Sequence, residues 1–293
     1  MATTVPQAFL ILRERLEITG LQKSTVSTRQ SNVREVMEAG FTVVDSFLTG
    51  SYARSTMISP LTEADVDICV VLDAKYFHHY NGQNGGQAGL LDLVRQTLRR
   101  TYTRTPDISR NGQAVTVRFE DFVVDVVPAF ARQGGGYLIP NSLTRSWLET
   151  DPGKHVQIFS DANSAHQGDF IPLVKMIKGW NKSHGRHFRS FHLEVLALEI
   201  LNGVVISDMP SGVRFVFDKA RQAVARKNLD PAGYGDDVGK YISGREKIEE
   251  AVAKFQTAFE RSARAEESAN RGYVRDAIET WGTVFGDYFP AYG

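Results

Sequence analysis

Residues 64–72 read ADVDICVVL, and the alternation of apolar and acidic positions in that stretch decides the fold. Residues two apart on a strand point to one face, so Val66, Ile68, Val70 and Leu72 make an apolar face while Asp65 and Asp67 project together from the other. Cys69 shares the acidic face by the same period but lies deeper along the strand, where a small buried hydrophobe is its expected role. A second stretch, FVVDVVPAF (122–130), is again β-branched and apolar, with the single acid Asp125 set among valines. An unpaired acid there is costly to bury, and a neighbouring strand of the same small sheet is expected to bring it beside Asp65 and Asp67.

Working outward, FTVVDSFLTGS (41–51) is a third strand-like run, and the forty residues before it read as two helices. Phe9, Leu10, Leu12 and Leu16 form the apolar face of the first helix, and Val26, Val33, Val36 and Met37 that of the second, which Gly40 ends. NGQNGGQAG (81–89) is expected to be a flexible loop before a helix around 90–103, and Asn111-Gly112 marks a hairpin. Residues 131–168 read as Gly- and Pro-containing connections with little periodicity. From Asp169 the pattern turns helical, over 170–183, 190–206, 212–227 and two long segments between 240 and 281. The expected fold is α+β and bilobed, a core with a small mixed sheet at 1–165 and a helical subdomain at 166–293 with a flexible tail, its active-site cleft lying between them.

Composition narrows the function. The chain has 293 residues, 34 Lys+Arg against 34 Asp+Glu, 42% hydrophobic residues and one cysteine. That excludes global disorder, an intramolecular disulfide framework and a Cys-rich zinc site. No apolar run approaches a membrane span and the N-terminus is not a signal peptide, so a cytoplasmic protein is expected. Zero net charge argues against stable nucleic-acid binding.

Two carboxylates a few ångströms apart repel each other unless a cation sits between them, and hard divalent ions such as Mg2+ take oxygen ligands. Read alone, Asp65 and Asp67 also fit a solvated edge strand, and Asp125 an acid held by backbone or arginine. Three carboxylates converging on one face make a two-metal site the functional reading. Gly50 and Ser51 precede that strand: the glycine lets backbone approach a ligand, and the serine hydroxyl adds a donor for terminal phosphates. Lys175 and Lys178, three apart on a predicted helix, share a face that is either a solvated stripe or a pair of point charges for triphosphate oxygens. Ser190 is placed as the N-cap of the next helix, free to donate to a phosphate as well. His78, His79, His184 and His187 have no partner at ligand spacing and read as surface histidines.

Taken in order, GSY (50–52), ADVDICVVL, VVDVVPAF, VKMIKGWNK (174–182) and RSFHLE (189–194) resemble the polymerase-β-type nucleotidyltransferases. More narrowly the chain resembles the bacterial CD-NTases of CBASS anti-phage systems, relatives of animal cyclic GMP–AMP synthase and oligoadenylate synthase. GQAVTV, DVVPAF, YLIPN and the TDP (150–152) ahead of His155 read like that bacterial branch, and the likeness runs over about residues 1–245. The resemblance implies a polymerase-β-like core with an oligoadenylate-synthase-like helical subdomain. It implies Asp65, Asp67 and Asp125 as the catalytic and metal-binding triad for two Mg2+ ions, with Mn2+ able to substitute. Gly50, Ser51, Lys175, Lys178 and Ser190 would hold the nucleotide triphosphate. DPAGYGDDVG (230–239) resembles the loop near the base, which makes Asp230 and Asp237 the candidate base contacts, with Asp236-Asp237 replacing the more familiar asparagines. Trp180 and Glu194 are assigned to core and helix-cap structure.

The implied activity is synthesis of a cyclic di- or trinucleotide from NTPs, with the product rather than the chain engaging a downstream effector. The chain ends FGDYFPAYG, and in the resembled family a ubiquitin-transfer-like ancillary protein conjugates such a terminus, so Gly293 is the expected conjugation point. The alternatives are transfer of a nucleotide to an antibiotic, protein or RNA end, and a non-catalytic nucleotide sensor; the intact acids argue against the sensor.

Overall fold

The computed structural model describes residues 1–105 and 107–293. Its residues group into two compact units, Ile18–Val156 and Met1–Glu17 together with Gln157–Gly293. Its α-helices and β-strands begin with α1 (Val5–Leu16), α2 (Gly20–Glu38), β1 (Val43–Leu48), α3 (Gly50–Ala53), β2 (Asp65–Leu72), α4 (Ala74–Asn81), α5 (Gly86–Thr101), β3 (Ile108–Asn111), β4 (Ala114–Arg118) and β5 (Val123–Ala131). β6 (Tyr137–Asn141), β7 (Ser146–Thr150), α6 (Pro152–Ala165), α7 (Phe170–Ser183), α8 (Ser190–Leu201), α9 (Met209–Ala223), α10 (Arg245–Asn270) and α11 (Val274–Phe285) follow. The architecture is α+β, with a seven-stranded mixed sheet in the Ile18–Val156 unit.

The sheet runs β1-β2-β5-β4-β3, with β6 joined to β5 and β7 to β6. Among the strands of the described residues β2 and β5 pair in parallel, and the other strand pairings are antiparallel. Val66, Ile68, Val70 and Leu72 face the larger core, beside Val124 and Val126 of β5 and beneath Val33 and Met37 of α2 and Leu91, Val94 and Leu98 of α5. Burying four such side chains contributes about 6–12 kcal/mol in total, which fixes which face of β2 looks inward. The far half of the opposite face is a separate small cluster of Cys69, Val71 and Ala129, covered by Phe47, Tyr137 and Ile139. Local signals start the helices: Thr19 and Gln22 cap α2 reciprocally, and Asp73 accepts from the Lys75 N–H at the head of α4.

Several sequence expectations need correction. The loop expected over 81–89 is only residues 82–85, because α5 begins at Gly86, whose missing side chain lets it pack against the Tyr80 carbonyl. Residues 131–168 are structured: β6 and β7 pair from Tyr137↔Thr150 to Asn141↔Ser146, and α6 follows. Both strands are mostly half-buried, so neither shows the alternation that would have betrayed it. α8 stops at Leu201 before Asn202-Gly203, and α9 starts at Met209, where Asp208 accepts from the Ser211 N–H and Pro210 occupies the first turn. Leu10, placed on the core face of α1, is 60% exposed; Ala8, Phe9, Leu12 and Leu16 are buried instead.

In the helical unit an aromatic cluster of Trp180, Phe188, Phe217 and Phe255 joins α7, α9 and α10. A second cluster, Phe9, Trp281, Phe285 and Phe289, holds α1 against α11 and the segment after it. The C-terminal residues expected to be flexible are clasped. Ala2 N–H donates to the Ala291 carbonyl at 2.9 Å, Gly293 N–H donates to the Ala2 carbonyl at 3.2 Å, and Phe289 is buried. Among the described residues no helix is long and apolar enough to cross a membrane.

Candidate active site

The parallel register of β2 and β5 sets Asp67 directly opposite Asp125, and Asp65 opposite Val123. Neighbouring strands lie about 4.8 Å apart, so Asp67 and Asp125 are side by side on one face, with Asp65 one pleat further along β2. Asp65 is exposed and the other two are half-buried. Across β5, Thr116 of β4 is also opposite Asp125, and its hydroxyl donates to Asp125 Oδ1 at 2.6 Å. Burial, with the Asp65 charge adding to it, holds the Asp125 carboxyl above the usual carboxylate range despite the Thr116 hydrogen bond and the pull of Arg118. The sequence reading anticipated the acids but not Thr116, whose only signal is a lone hydroxyl among the valines of AVTVR.

Gly50 sits against this face. Its φ of +63° is in the left-handed region, and a Cβ there would overlap the Asp67 carboxylate. Thr49 N–H donates to the Asp67 carbonyl at 2.9 Å, tying the loop to β2 just beside the acid. Thr56 and Met57 N–H groups both donate to the Ser51 carbonyl, closing the turn that carries the Ser51 hydroxyl. The three acids share a face without closing round a point: among the described residues no group of three His, Cys, Asp or Glu side chains is arranged to enclose a metal ion. The donor chemistry is all carboxylate oxygen, the type hard divalent cations take.

The remaining candidates lie in the helical unit. Lys178 is buried, and its Nζ donates to Oε1 of the fully buried Glu194 at 2.8 Å. Lys175 is buried too, with Nζ 2.7 Å from Glu17 Oε2. Neither belongs to a solvated stripe. Ser190 is the exposed first residue of α8; Arg189 occupies the cap position assigned to it. Asp230 accepts from the backbone N–H groups of Ala232 and Gly235, and Asp237 from those of Asn228 and Gly239, so both carboxylates brace their own loop. His192, which the sequence reading passed over, joins that loop to α8 through Asn228 Oδ1 at 2.9 Å and the Tyr241 hydroxyl at 3.0 Å. Of the histidines expected at the surface, His78, His79 and His187 are exposed and His184 half-buried.

Residues 3–163, which contain the whole acid face and the Gly50-Ser51 turn, match the family described as the Second Messenger Oligonucleotide or Dinucleotide Synthetase domain. The chain belongs to this family. Its relatives include a cyclic AMP-AMP-AMP synthase of Acinetobacter sp., 27% identical over 309 residues that cover 98% of this chain and 86% of that protein. A probable cyclic nucleotide synthase of Bacillus cereus is 24% identical over 272 residues, covering 83% of this chain and 81% of that one. In fold the chain is similar to Escherichia coli MS115-1 CdnC solved with ATP, at 17% identity and a TM-score of 0.75, with 98% of this chain and 99% of that one covered. The Vibrio cholerae DncV cyclic AMP-GMP synthase matches at 16% identity and a TM-score of 0.68, over 97% and 85% of the two chains. Membership of that family makes the chain a nucleotidyltransferase of the cyclic-oligonucleotide-synthase kind.

Proposed function

We propose that the chain joins NTPs into a cyclic di- or trinucleotide at Asp65, Asp67 and Asp125, releasing one pyrophosphate per bond, as a second messenger of anti-phage defence. The observation that carries the reading is the register pairing of Asp67 with Asp125 inside the segment matched by the family. The name of the Acinetobacter relative makes ATP the first substrate to supply.

The three acids are assigned to two Mg2+ ions, with Mn2+ as a substitute. Bound divalent cations there would acidify the attacking ribose hydroxyl and neutralise the leaving pyrophosphate. Thr116 holds one oxygen of Asp125, and the other is assigned to accepting the hydroxyl proton. Gly50 keeps side-chain atoms away from Asp67 and leaves backbone and the Ser51 hydroxyl to meet phosphate oxygens. From the helical unit Lys175, Lys178 and Ser190 are assigned to the triphosphate. Asp230 and Asp237 are assigned to shaping the loop that meets the base.

The test is incubation of the purified chain with Mg2+ or Mn2+ and four labelled NTPs, followed by phosphatase treatment. A resistant product from the wild type and none from Asp65→Ala/Asp67→Ala supports the reading. A labelled non-nucleotide acceptor in its place overturns it.

We assign the enzyme to the cytoplasm and Gly293 to conjugation by a ubiquitin-transfer-like ancillary protein. Another member of the fold, Escherichia coli CdnC, has been solved in complex with a HORMA protein, which supports protein partners for such enzymes. Conjugation first requires the backbone bonds between Ala2 and residues 291–293 to open. A Gly293 deletion that leaves phage protection intact refutes the assignment.

A further inference from the structure

The acid face extends past the acids. The register sets Asp67, Asp125, Thr116 and Ser109 in one row across β2, β5, β4 and β3, on the same side of the sheet. Val115 and Val117, which flank Thr116 in β4, turn the other way into the larger core. Thr116 is itself buried, and its hydroxyl donates to Asp125 Oδ1 at 2.6 Å.

Two features make this bond more than the satisfaction of a buried hydroxyl. The first concerns the carboxylate. Among the described residues Thr116 is the one hydrogen-bond donor to Asp125, and Oδ2 accepts from none. The terminal torsion of an aspartate is broad and two-fold, so its two oxygens are interchangeable until something holds one of them. Threonine suits that task, because a β-branched side chain is stiff about its first torsion. The second feature is that the donor is neutral. Arg118, two residues further along β4 on the same face, is engaged by Asp107 Oδ2 at 2.8 Å. An arginine on Asp125 would offset the negative charge that a divalent cation needs, whereas a hydroxyl orders the carboxylate and leaves its charge whole.

We propose that Thr116 is a positioning residue for nucleotidyl transfer: by holding Oδ1 it leaves Oδ2, with its charge uncompensated, as the one oxygen of Asp125 that serves metal and proton. The inference rests on the assignment of Asp125 given above and adds to it a residue that touches neither nucleotide nor metal.

The experiment sets Thr116→Val against Thr116→Ser in the full chain. Valine keeps the shape and loses the hydroxyl, while serine keeps the hydroxyl and loses the methyl, so packing and hydrogen bonding demand opposite orders of damage. Mn2+ is the probe, and its uptake by the nucleotide-free protein is followed through the loss of the free-ion paramagnetic resonance signal. Thr116→Val weakens uptake about tenfold to a hundredfold, the usual effect of removing a group that holds a metal ligand, and Thr116→Ser stays near wild type. Pyrophosphate release from ATP is read in parallel. The kcat of Thr116→Val falls by a similar factor with KM for ATP unchanged, and Thr116→Ser restores it. Pyrophosphate release counts transfer to any acceptor, so a wild type that releases it without a cyclic product refutes the function proposed above and leaves this test intact. Mn2+ uptake equal in wild type and Thr116→Val, including none in either, overturns the proposal, as does a serine variant as impaired as the valine one. Should Thr116→Val fail to fold, Thr116→Ala removes the same hydroxyl and takes its place against Thr116→Ser.

Discussion

Deleting the carboxylate of Glu194 removes the counter-charge 2.8 Å from the Lys178 ammonium in the interior of the helical unit. The pair is 2.8 Å apart, with Glu194 fully buried and Lys178 nearly so. Removing one partner of such a pair costs about 3–5 kcal/mol, because the survivor keeps its desolvation penalty without its counter-charge. At roughly 2–4 °C per kcal/mol for a unit of this size, Glu194→Leu lowers the melting midpoint by about 6–20 °C. Lys178→Met/Glu194→Leu removes both charges for apolar chains of similar volume, an exchange that is typically neutral or stabilising. The double variant therefore regains the wild-type midpoint to within a few degrees. Activity then separates two roles that stability alone confuses. A lysine that also holds phosphate leaves the double variant folded, with its KM for ATP raised about tenfold or more, the loss of one charge-assisted hydrogen bond. Scanning fluorimetry and initial rates of phosphatase-resistant product measure the two. A Glu194→Leu midpoint within about 2 °C of wild type refutes the energetic reasoning. Wild-type KM and kcat in the double variant refute the phosphate assignment.

Three shorter predictions follow from other parts of the chain. Gly50→Ala combines a left-handed φ of +63° with a Cβ that overlaps Asp67, so it displaces the acid or the turn; about a hundredfold loss of product at a cost of only about 1–2 kcal/mol in stability is expected, and near-normal activity would exclude close packing there. Burial, helped by the charge of Asp45, pushes the Cys69 thiol up to about 12; iodoacetamide at pH 8 leaves the native protein unmodified and labels it once in guanidinium, as mass spectrometry will show. Burial, opposed by the Asn228 contact, lowers the pKa of His192, so the folded state favours the neutral ring. Its contribution to stability is complete above the unfolded value of about 6.5 and is lost as pH falls through the lowered folded value; the thermal midpoint of His192→Gln accordingly drops less than wild type between pH 7.5 and 5, and equal drops reject the idea.

The acid face was legible in the sequence because β2 obeys one simple period, with large apolar side chains on one side and carboxylates on the other. The same logic fails for β6 and β7, whose half-buried residues carry no clean alternation. Leu10 misled for the opposite reason: it fits a helical apolar stripe, yet α1 buries Ala8 and Phe9 beside it and leaves Leu10 out. Lys175 and Lys178 were correctly placed on one helix, but their partners Glu17 and Glu194 are 158 and 16 residues away, and spacing on a helix says nothing about such pairs. Thr116 and His192 act through hydrogen bonds to residues nine and more positions distant, which no local pattern encodes.

The apolar face of β2 does more than stabilise the sheet: it is what aligns the acids. Because side chains alternate with a period of two, slipping β2 by one residue against β5 would turn Val66, Ile68, Val70 and Leu72 toward the acid face and drive Asp65 and Asp67 into the core. The slip forfeits about 6–12 kcal/mol of apolar burial and adds the cost of burying two carboxylates, a penalty comparable to the entire stability of a domain. Asp67 therefore keeps to the face of Asp125 because valines, an isoleucine and a leucine on the other side rule out a one-residue slip. Mutations that weaken that face are then expected to damage catalysis through register before they unfold the chain. Val66→Thr, which nearly keeps the volume but adds a hydroxyl to the core beside Val124, is the mildest probe of that coupling.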